Sequence, residues 1–189
     1  SVLSINELEN PLLQYNPKDR CYQCKKFLFR KLLEFAKQHH CQYVFDGTNE
    51  DDRHVYRPGL QAIKELGIIS PLANTHITKE QVRLFAEQLG LSVANRPSNS
   101  CLATRLEYGM KLEPQFLLKI EQGEIFLEKL GFRQIRLRIH GDIVRIEVAK
   151  EQMSLFAEKI EEIRNYFKDF GWKHITVDLY GFRSGTMDL

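Results

Sequence analysis

Phe132-Arg133-Gln134-Ile135-Arg136-Leu137-Arg138-Ile139, then His140-Gly141-Asp142, then Ile143-Val144-Arg145-Ile146-Glu147-Val148 run consecutively and decide the fold of the C-terminal part of this chain. Ile135, Leu137 and Ile139 alternate with Gln134, Arg136 and Arg138, the side-chain period of a strand with one buried face. After the turn residues the alternation resumes, with Val144, Ile146 and Val148 inward and Arg145 and Glu147 outward. The stretch therefore predicts a β-hairpin with a core face and an uncovered, charged face. Working outward, Glu113-Pro114 opens a helix predicted to reach Leu130. A further helix from about Gln152 to Phe170 closes at Gly171, ahead of a strand over His174 to Leu179. The sum is an α-β-β-α-β unit with helices on one face of a small sheet.

Upstream, Phe27, Leu28, Leu32, Leu33 and Phe35 recur near the helical period, which predicts an amphipathic helix from Cys24 to His40 with Cys21 and Cys24 at its N-terminus. Cys41 to Phe45 predicts a short buried strand, Cys41 itself being a core residue, that opens into the loop Asp46-Gly47-Thr48-Asn49. Helix, strand and polar loop in that order predict a parallel sheet. Pro58 to Leu66 predicts a short helix stopped by Gly67, and Ile68 to Leu72 an extended segment. Thr78-Lys79-Glu80-Gln81 is a capping box for a helix running to Leu89 and ending at Gly90. A loop rich in Pro, Asn and Ser carries Cys101 and Arg105 to Gly109, where the domain boundary is placed, giving residues 1–109 and 110–189.

The 189 residues, 43% hydrophobic and 28% charged, suffice for one ample domain or two small ones. Lys and Arg number 27 against 25 Asp and Glu, so no global field points to a nucleic-acid or membrane partner, and any bound anion must be met locally. No apolar run approaches the roughly 18 to 20 residues of a membrane span, and the start lacks a basic segment followed by an apolar one, so a cytoplasmic protein is expected. Four cysteines are too sparse for a disulfide scaffold.

Cys21 and Cys24 at a helix start, followed by Lys25-Lys26, sit where free amides and the helix dipole favour thiolates. Such a pair reads as nucleophiles, as ligands of a soft metal, or as two small buried side chains. Zinc normally takes four protein ligands, and here Cys41 or a histidine would have to complete the set. Cys101, if it joins the pair, makes three thiolates, and a four-iron cluster held by three thiolates keeps one iron open. Asp46-Gly47-Thr48-Asn49-Glu50-Asp51-Asp52 combines a glycine, hydrogen-bonding side chains and carboxylates as a nucleotide or magnesium rim does, and it also makes a serviceable turn. Arg136 and Arg138 on one strand face, with Arg183 in Gly181-Phe182-Arg183-Ser184-Gly185, suit a phosphate clamp. The alternative is a solvated face on which Arg138 or Arg145 pairs with Glu147.

Cys21-Tyr22-Gln23-Cys24-Lys25, Asp46-Gly47-Thr48-Asn49, Arg57-Pro58-Gly59, Cys101-Leu102-Ala103-Thr104-Arg105 and Gly181-Phe182-Arg183-Ser184-Gly185, in that order, resemble the LarE-like ATP-dependent sulfurtransferases of the PP-loop ATP pyrophosphatase superfamily. The resemblance spans essentially the whole chain. It implies an α/β fold, the remainder of a PP-loop parallel-sheet domain followed by a small α+β domain. It implies ATP- and magnesium-dependent adenylylation of a carboxylate of pyridinium-3,5-biscarboxylic acid mononucleotide. Sulfur then replaces AMP to give a thiocarboxylate on the way to a nickel-pincer cofactor. Some members sacrifice a cysteine sulfur near the position of Cys101. Those with three cysteines resemble holders of a 4Fe-4S cluster that passes on sulfide, which implies Cys21, Cys24 and Cys101 as its ligands.

Carried over by position, the family's C-terminal site implies substrate and phosphate contacts for Glu124, Arg136, Arg138, Glu147 and Arg183. Cys101, Glu124 and Glu147 would be catalytic, and Asp46, Gly47, Thr48 and Asn49 the nucleotide loop. The family's Ser-Gly-Gly-x-Asp-Ser phosphate motif does not occur in this sequence. The expectation is a chain that starts downstream of it, trimmed or completed by a partner, without adenylylation of its own and prone to form a homo-oligomer. A tRNA-thiolating relative would share the cysteines but display an extended basic surface, against which a charge of +2 argues. A non-catalytic zinc or iron-sulfur module is the remaining alternative.

Overall fold

The computed structural model describes residues 1–95 and 99–183. The chain divides into two units, Ser1–Asn99 and Ser100–Leu189, so the boundary lies upstream of the one expected after Gly109. Residues 100–109 go with the second unit for a physical reason. Leu106 forms a parallel bridge to Ile139, and the Arg105 guanidinium pairs with Glu124. Among the described residues the architecture is mixed α/β, with seven helices and one three-stranded sheet.

The first unit holds α1 (Arg20–Gln38), α2 (Gly59–Glu65), α3 (Pro71–Asn74) and α4 (Lys79–Gln88). α1 starts earlier than its apolar stripe suggests and ends as His40 turns to a φ of 56°. The extended segment expected over Ile68 to Leu72 reaches only Ser70, where Ile69 bridges Phe45, and α3 takes over at Pro71, whose fixed φ and missing N–H suit the first helical turn. The capping box of α4 forms as expected: Gln81 N–H donates to Thr78 Oγ1 at 3.3 Å and Thr78 N–H to Gln81 Oε1 at 2.9 Å. Leu13, Ala36, Ala62, Ile63, Ile68 and Ala73 make the core of this unit.

Cys41 to Phe45 is not a buried strand. Its pairing is a single parallel bridge between Phe45 and Ile69, with Asp46 N–H donating to Ile69 O at 2.9 Å and Ile69 N–H to Val44 O at 3.1 Å. The direction is that of a parallel sheet, but one bridge leaves the apolar side chains uncovered: Tyr43 is 63% exposed and Phe45 59%. Cys41 is likewise exposed and not a core residue.

The second unit contains α5 (Pro114–Lys129), β1 (Arg136–His140), β2 (Ile143–Glu147), α6 (Met153–Glu158), α7 (Ile160–Phe167) and β3 (His174–Val177). β1 and β2 form the expected antiparallel hairpin, registered Arg136 to Glu147 and Arg138 to Arg145, and β3 adds in parallel to β2. Gly141, at a φ of 57°, makes the turn that few other residues adopt readily. The single helix expected over 152–170 is broken at Lys159, which lies outside helical geometry at φ −96° and ψ 7°.

Leu137, Ile139, Val144 and Ile146 are fully buried on one sheet face, as are Ile120 and Leu127 of α5 and Phe167 of α7. Gly123 of α5 permits this packing. A Cβ there would lie 2.4 Å from Leu137 Cδ1 and 2.7 Å from Phe167 Cε1. Gly123→Ala is therefore expected to lose about 1–2 kcal/mol in urea unfolding, overpacking outweighing the roughly 1 kcal/mol of helix propensity gained. A stabilised variant would mean that the two side chains yield freely. No helix among the described residues is long and apolar enough to cross a membrane.

Candidate functional site

In the first unit the opening turn of α1 carries Cys21, exposed, and Cys24, half-buried, three positions apart and on one helix face. Neither is in a disulfide. Lys25 reaches from the same turn to Asp46, with Nζ 3.7 Å from Oδ2. Asp46 is almost wholly buried and both its oxygens are occupied: Thr48 Oγ1 donates to Oδ2 and Ser70 Oγ to Oδ1, each at 2.5 Å. A carboxylate so engaged is an internal hub that ties Thr48, Ser70 and Lys25 together.

The rest of that loop is equally built. Asn49 and Asp52 exchange backbone-to-side-chain hydrogen bonds, each at 3.2 Å, and Arg57 Nη2 lies 2.9 Å from Asp52 Oδ1. Gly59 closes the arrangement, because a Cβ there would lie 2.8 Å from Lys25 Cδ and 3.4 Å from Cys21 O. The cysteine pair, the Asp46 loop and Arg57-Pro58-Gly59 thus meet around the first turn of α1. Beside them Tyr22 and Lys26 both bond Glu65 Oε2, at 2.7 and 2.8 Å. The Lys26 ammonium, with Tyr22 and Gln61, pushes the Glu65 carboxyl down to about 2. Lys25, Ser70, Tyr22 and Glu65 were not singled out from the sequence for these contacts, and only the Lys25-Lys26 charge beside the cysteines hinted at them.

In the second unit Cys101, exposed, precedes the single tight turn Leu102–Arg105. Its carbonyl accepts from Thr104 N–H at 2.9 Å and from Thr104 Oγ1 at 2.7 Å. The side chain of Arg105 is fully buried beneath and pairs with Glu124. Glu124 also takes the Leu137 N–H on Oε1 at 2.9 Å, covering the free edge of β1.

The polar sheet face is not the uncovered one expected. Arg138 is 4% exposed and Glu147 1%, with Arg138 Nε 2.6 Å from Glu147 Oε1. Arg138 Nη1 donates to Thr104 O at 3.0 Å, so the Cys101 turn is what lies over this arginine. Arg145 Nη2 reaches the same Glu147 oxygen at 3.3 Å, leaving Oε2 buried without a hydrogen bond. The cross-strand pairing weighed for this face is present, though buried.

Arg136 stands apart. Among the described residues it has no carboxylate within 4 Å; it donates to Arg183 O at 3.5 Å and lies over the Phe182 ring at 4.4 Å. Arg183, half exposed, lies over Tyr180 and 3.8 Å from Asp178. Burial, then repulsion from Arg105 and Arg138, lowers the pKa of Arg136, and Glu147 and Glu124 only partly offset this. Arg136 remains charged at neutral pH in a locally positive field that an anion would relieve. Gly181 holds the segment: at φ 69°, a Cβ would stand 2.9 Å from Val148 O, the carbonyl that takes the Phe182 N–H at 2.8 Å.

No family model matches the chain. Over 189 residues it is 38% identical to an uncharacterized protein of Synechocystis sp., spanning 99% of this chain and 70% of that one. It is 36% identical over 169 residues to an uncharacterized protein of Methanocaldococcus jannaschii, spanning 89% and 66%. Over 185 residues it is 31% identical to the pyridinium-3,5-bisthiocarboxylic acid mononucleotide synthase of Lactiplantibacillus plantarum, spanning 98% and 67%. The chain belongs to the LarE family. It spans about two thirds of the length of these three relatives.

Of the site residues expected from the LarE resemblance, Cys21 and Cys24 fall in the first unit with Asp46, Gly47, Thr48 and Asn49. Cys101, Glu124, Arg136, Arg138, Glu147 and Arg183 fall in the second. Ser184 and Gly185, the end of the last motif, lie outside the described residues. Within neither unit do three His, Cys, Asp or Glu side chains among the described residues gather as a metal site.

Proposed function

We propose that this chain carries the sulfur-transfer part of LarE chemistry, acting on a carboxylate of pyridinium-3,5-biscarboxylic acid mononucleotide in nickel-pincer cofactor synthesis. The observation that carries this reading is 31% identity along 98% of the chain to a synthase whose name states the bisthiocarboxylic product. Arg136 supports it, as a half-buried guanidinium without a carboxylate partner among the described residues, suited to a phosphate monoester. Arg183 stands beside it. Arg138 is committed to Glu147 and Thr104 and supports the clamp from within.

In the proposed step a sulfur nucleophile attacks the carbonyl carbon of an acyl-adenylate formed with ATP and magnesium. The new C–S bond forms as the C–O bond to AMP breaks, and AMP leaves with that electron pair. The arginines hold the substrate phosphate so that the carbonyl stays in reach of the sulfur. Cys21, Cys24 and Cys101 would hold the 4Fe-4S cluster; soft thiols outside any disulfide, two of them on one helical turn, are the ligand chemistry of that group. When bound, it supplies sulfide on the iron that lacks a protein ligand.

Anaerobic purification followed by iron, labile sulfide and zinc analysis tests the cluster, with about four irons and four sulfides per chain expected. Zinc without sulfide would end the cluster assignment. Calorimetric titration with the pyridinium mononucleotide tests the substrate separately, and silence there alongside binding of tRNA would replace this substrate class.

A further inference from the structure

We propose that Arg105 and Glu124 form a positioning pair that fixes the Cys101 turn, and that Glu124 does not contact substrate. A buried guanidinium is tolerated only where its donors are matched, and the two edges of this one serve different masters. One edge forms a bidentate pair with Glu124, Nε to Oε1 at 2.7 Å and Nη2 to Oε2 at 2.9 Å. Nη1 donates into the turn, to Ser100 Oγ at 2.7 Å, Thr104 Oγ1 at 2.9 Å and Ser100 O at 3.2 Å, with Cys101 O at 3.5 Å.

The anchor behind the arginine is rigid. Glu124 stands inside α5 and holds the β1 backbone through Leu137 N–H. Oε1 takes Arg105 Nε and the Leu137 N–H, Oε2 takes Arg105 Nη2, and the side chain is 11% exposed, so the carboxylate is committed mainly to contacts inside the protein. Cys101 is therefore exposed on a backbone tied, through one arginine and one carboxylate, to the edge strand β1. The role in sulfur transfer rests on the function proposed above; the tethering of the turn does not.

The test is Glu124→Gln, read by hydrogen exchange in residues 100–106, by iodoacetamide modification of Cys101 against Cys41, and by titration with the pyridinium mononucleotide. Exchange in 100–106 should rise about tenfold, the loss expected for a charge-assisted bond, while exchange in Ile143–Glu147 stays within about twofold. The Cys101 to Cys41 modification ratio should change at least about threefold, and mononucleotide affinity should stay within about twofold. Equal rises in both segments would make Glu124 a general stabiliser. An affinity loss as large as that of Arg136→Ala would make it a substrate contact, and either result overturns the proposal.

Ser100→Ala, a milder change at a half-buried residue, keeps the question answerable if Glu124→Gln does not fold. It should raise exchange in 100–106 by about two- to fivefold, and no change would count against the tether. A purified protein without iron or sulfide would remove the cluster while leaving every one of these readouts in place.

Discussion

Replacing Glu147 by Ala is expected to destabilise the second unit by about 3–5 kcal/mol, read as a lower urea midpoint. The carboxylate is 1% exposed and lies 2.6 Å from Arg138 Nε, which is itself buried. Its removal takes the carboxylate away from a guanidinium in the interior that also donates to the Thr104 carbonyl at 3.0 Å, beside the like-charged Arg145 that faces it in register. The penalty is that of an uncompensated charge, so it should shrink when both partners go together. Arg138→Met with Glu147→Leu is expected to recover more than half of the loss. The orphaned Glu147 Oε2 favours that outcome, because the native pair already carries one unsatisfied buried oxygen. A single variant as stable as the native chain would show the pair to be solvated.

Arg136→Ala should behave in the opposite manner. Mononucleotide affinity is expected to fall by about 1.5–3 kcal/mol, roughly ten- to a hundredfold, the worth of a charge-assisted bond to phosphate. Stability should hold or rise slightly, since the change relieves repulsion from Arg105 and Arg138 and gives up a 3.5 Å bond and a ring contact. Calorimetry and thermal unfolding on the same samples separate the two effects. Unchanged affinity would take the phosphate away from this face, whereas a large drop in melting temperature would recast Arg136 as a structural residue.

Much of the second unit was legible because its signals are local. Pro114 marks the start of α5, the period of two gives β1 and β2, and Gly141 gives their turn. The same alternation told which side of the sheet was charged but not what lay over it. The cover arrives from Thr104, thirty-four positions before Arg138, and no periodicity connects them. Cys41 to Phe45 misled for the complementary reason: an apolar run reports β propensity, whereas burial needs neighbours on both sides, and here there is one bridge. Around α1 the cysteines, the Asp46 loop and Gly59 were each visible as motifs. Their meeting was not, because it depends on Ser70, twenty-four positions from Asp46, and on the reach of Lys25.

The steric prohibition at Gly181 bears on how the anion recognition proposed for this face could vary among chains of this kind. With no room for a Cβ between Gly181 and Val148 O, and the next amide bonded to that carbonyl, the height of Arg183 above the sheet is set by the main chain. Swapping side chains can alter what position 183 presents, yet it cannot alter where that presentation occurs. Selectivity for a larger or smaller ligand would have to be sought in the side chains of Arg136 and Phe182, and not in the backbone of the tether.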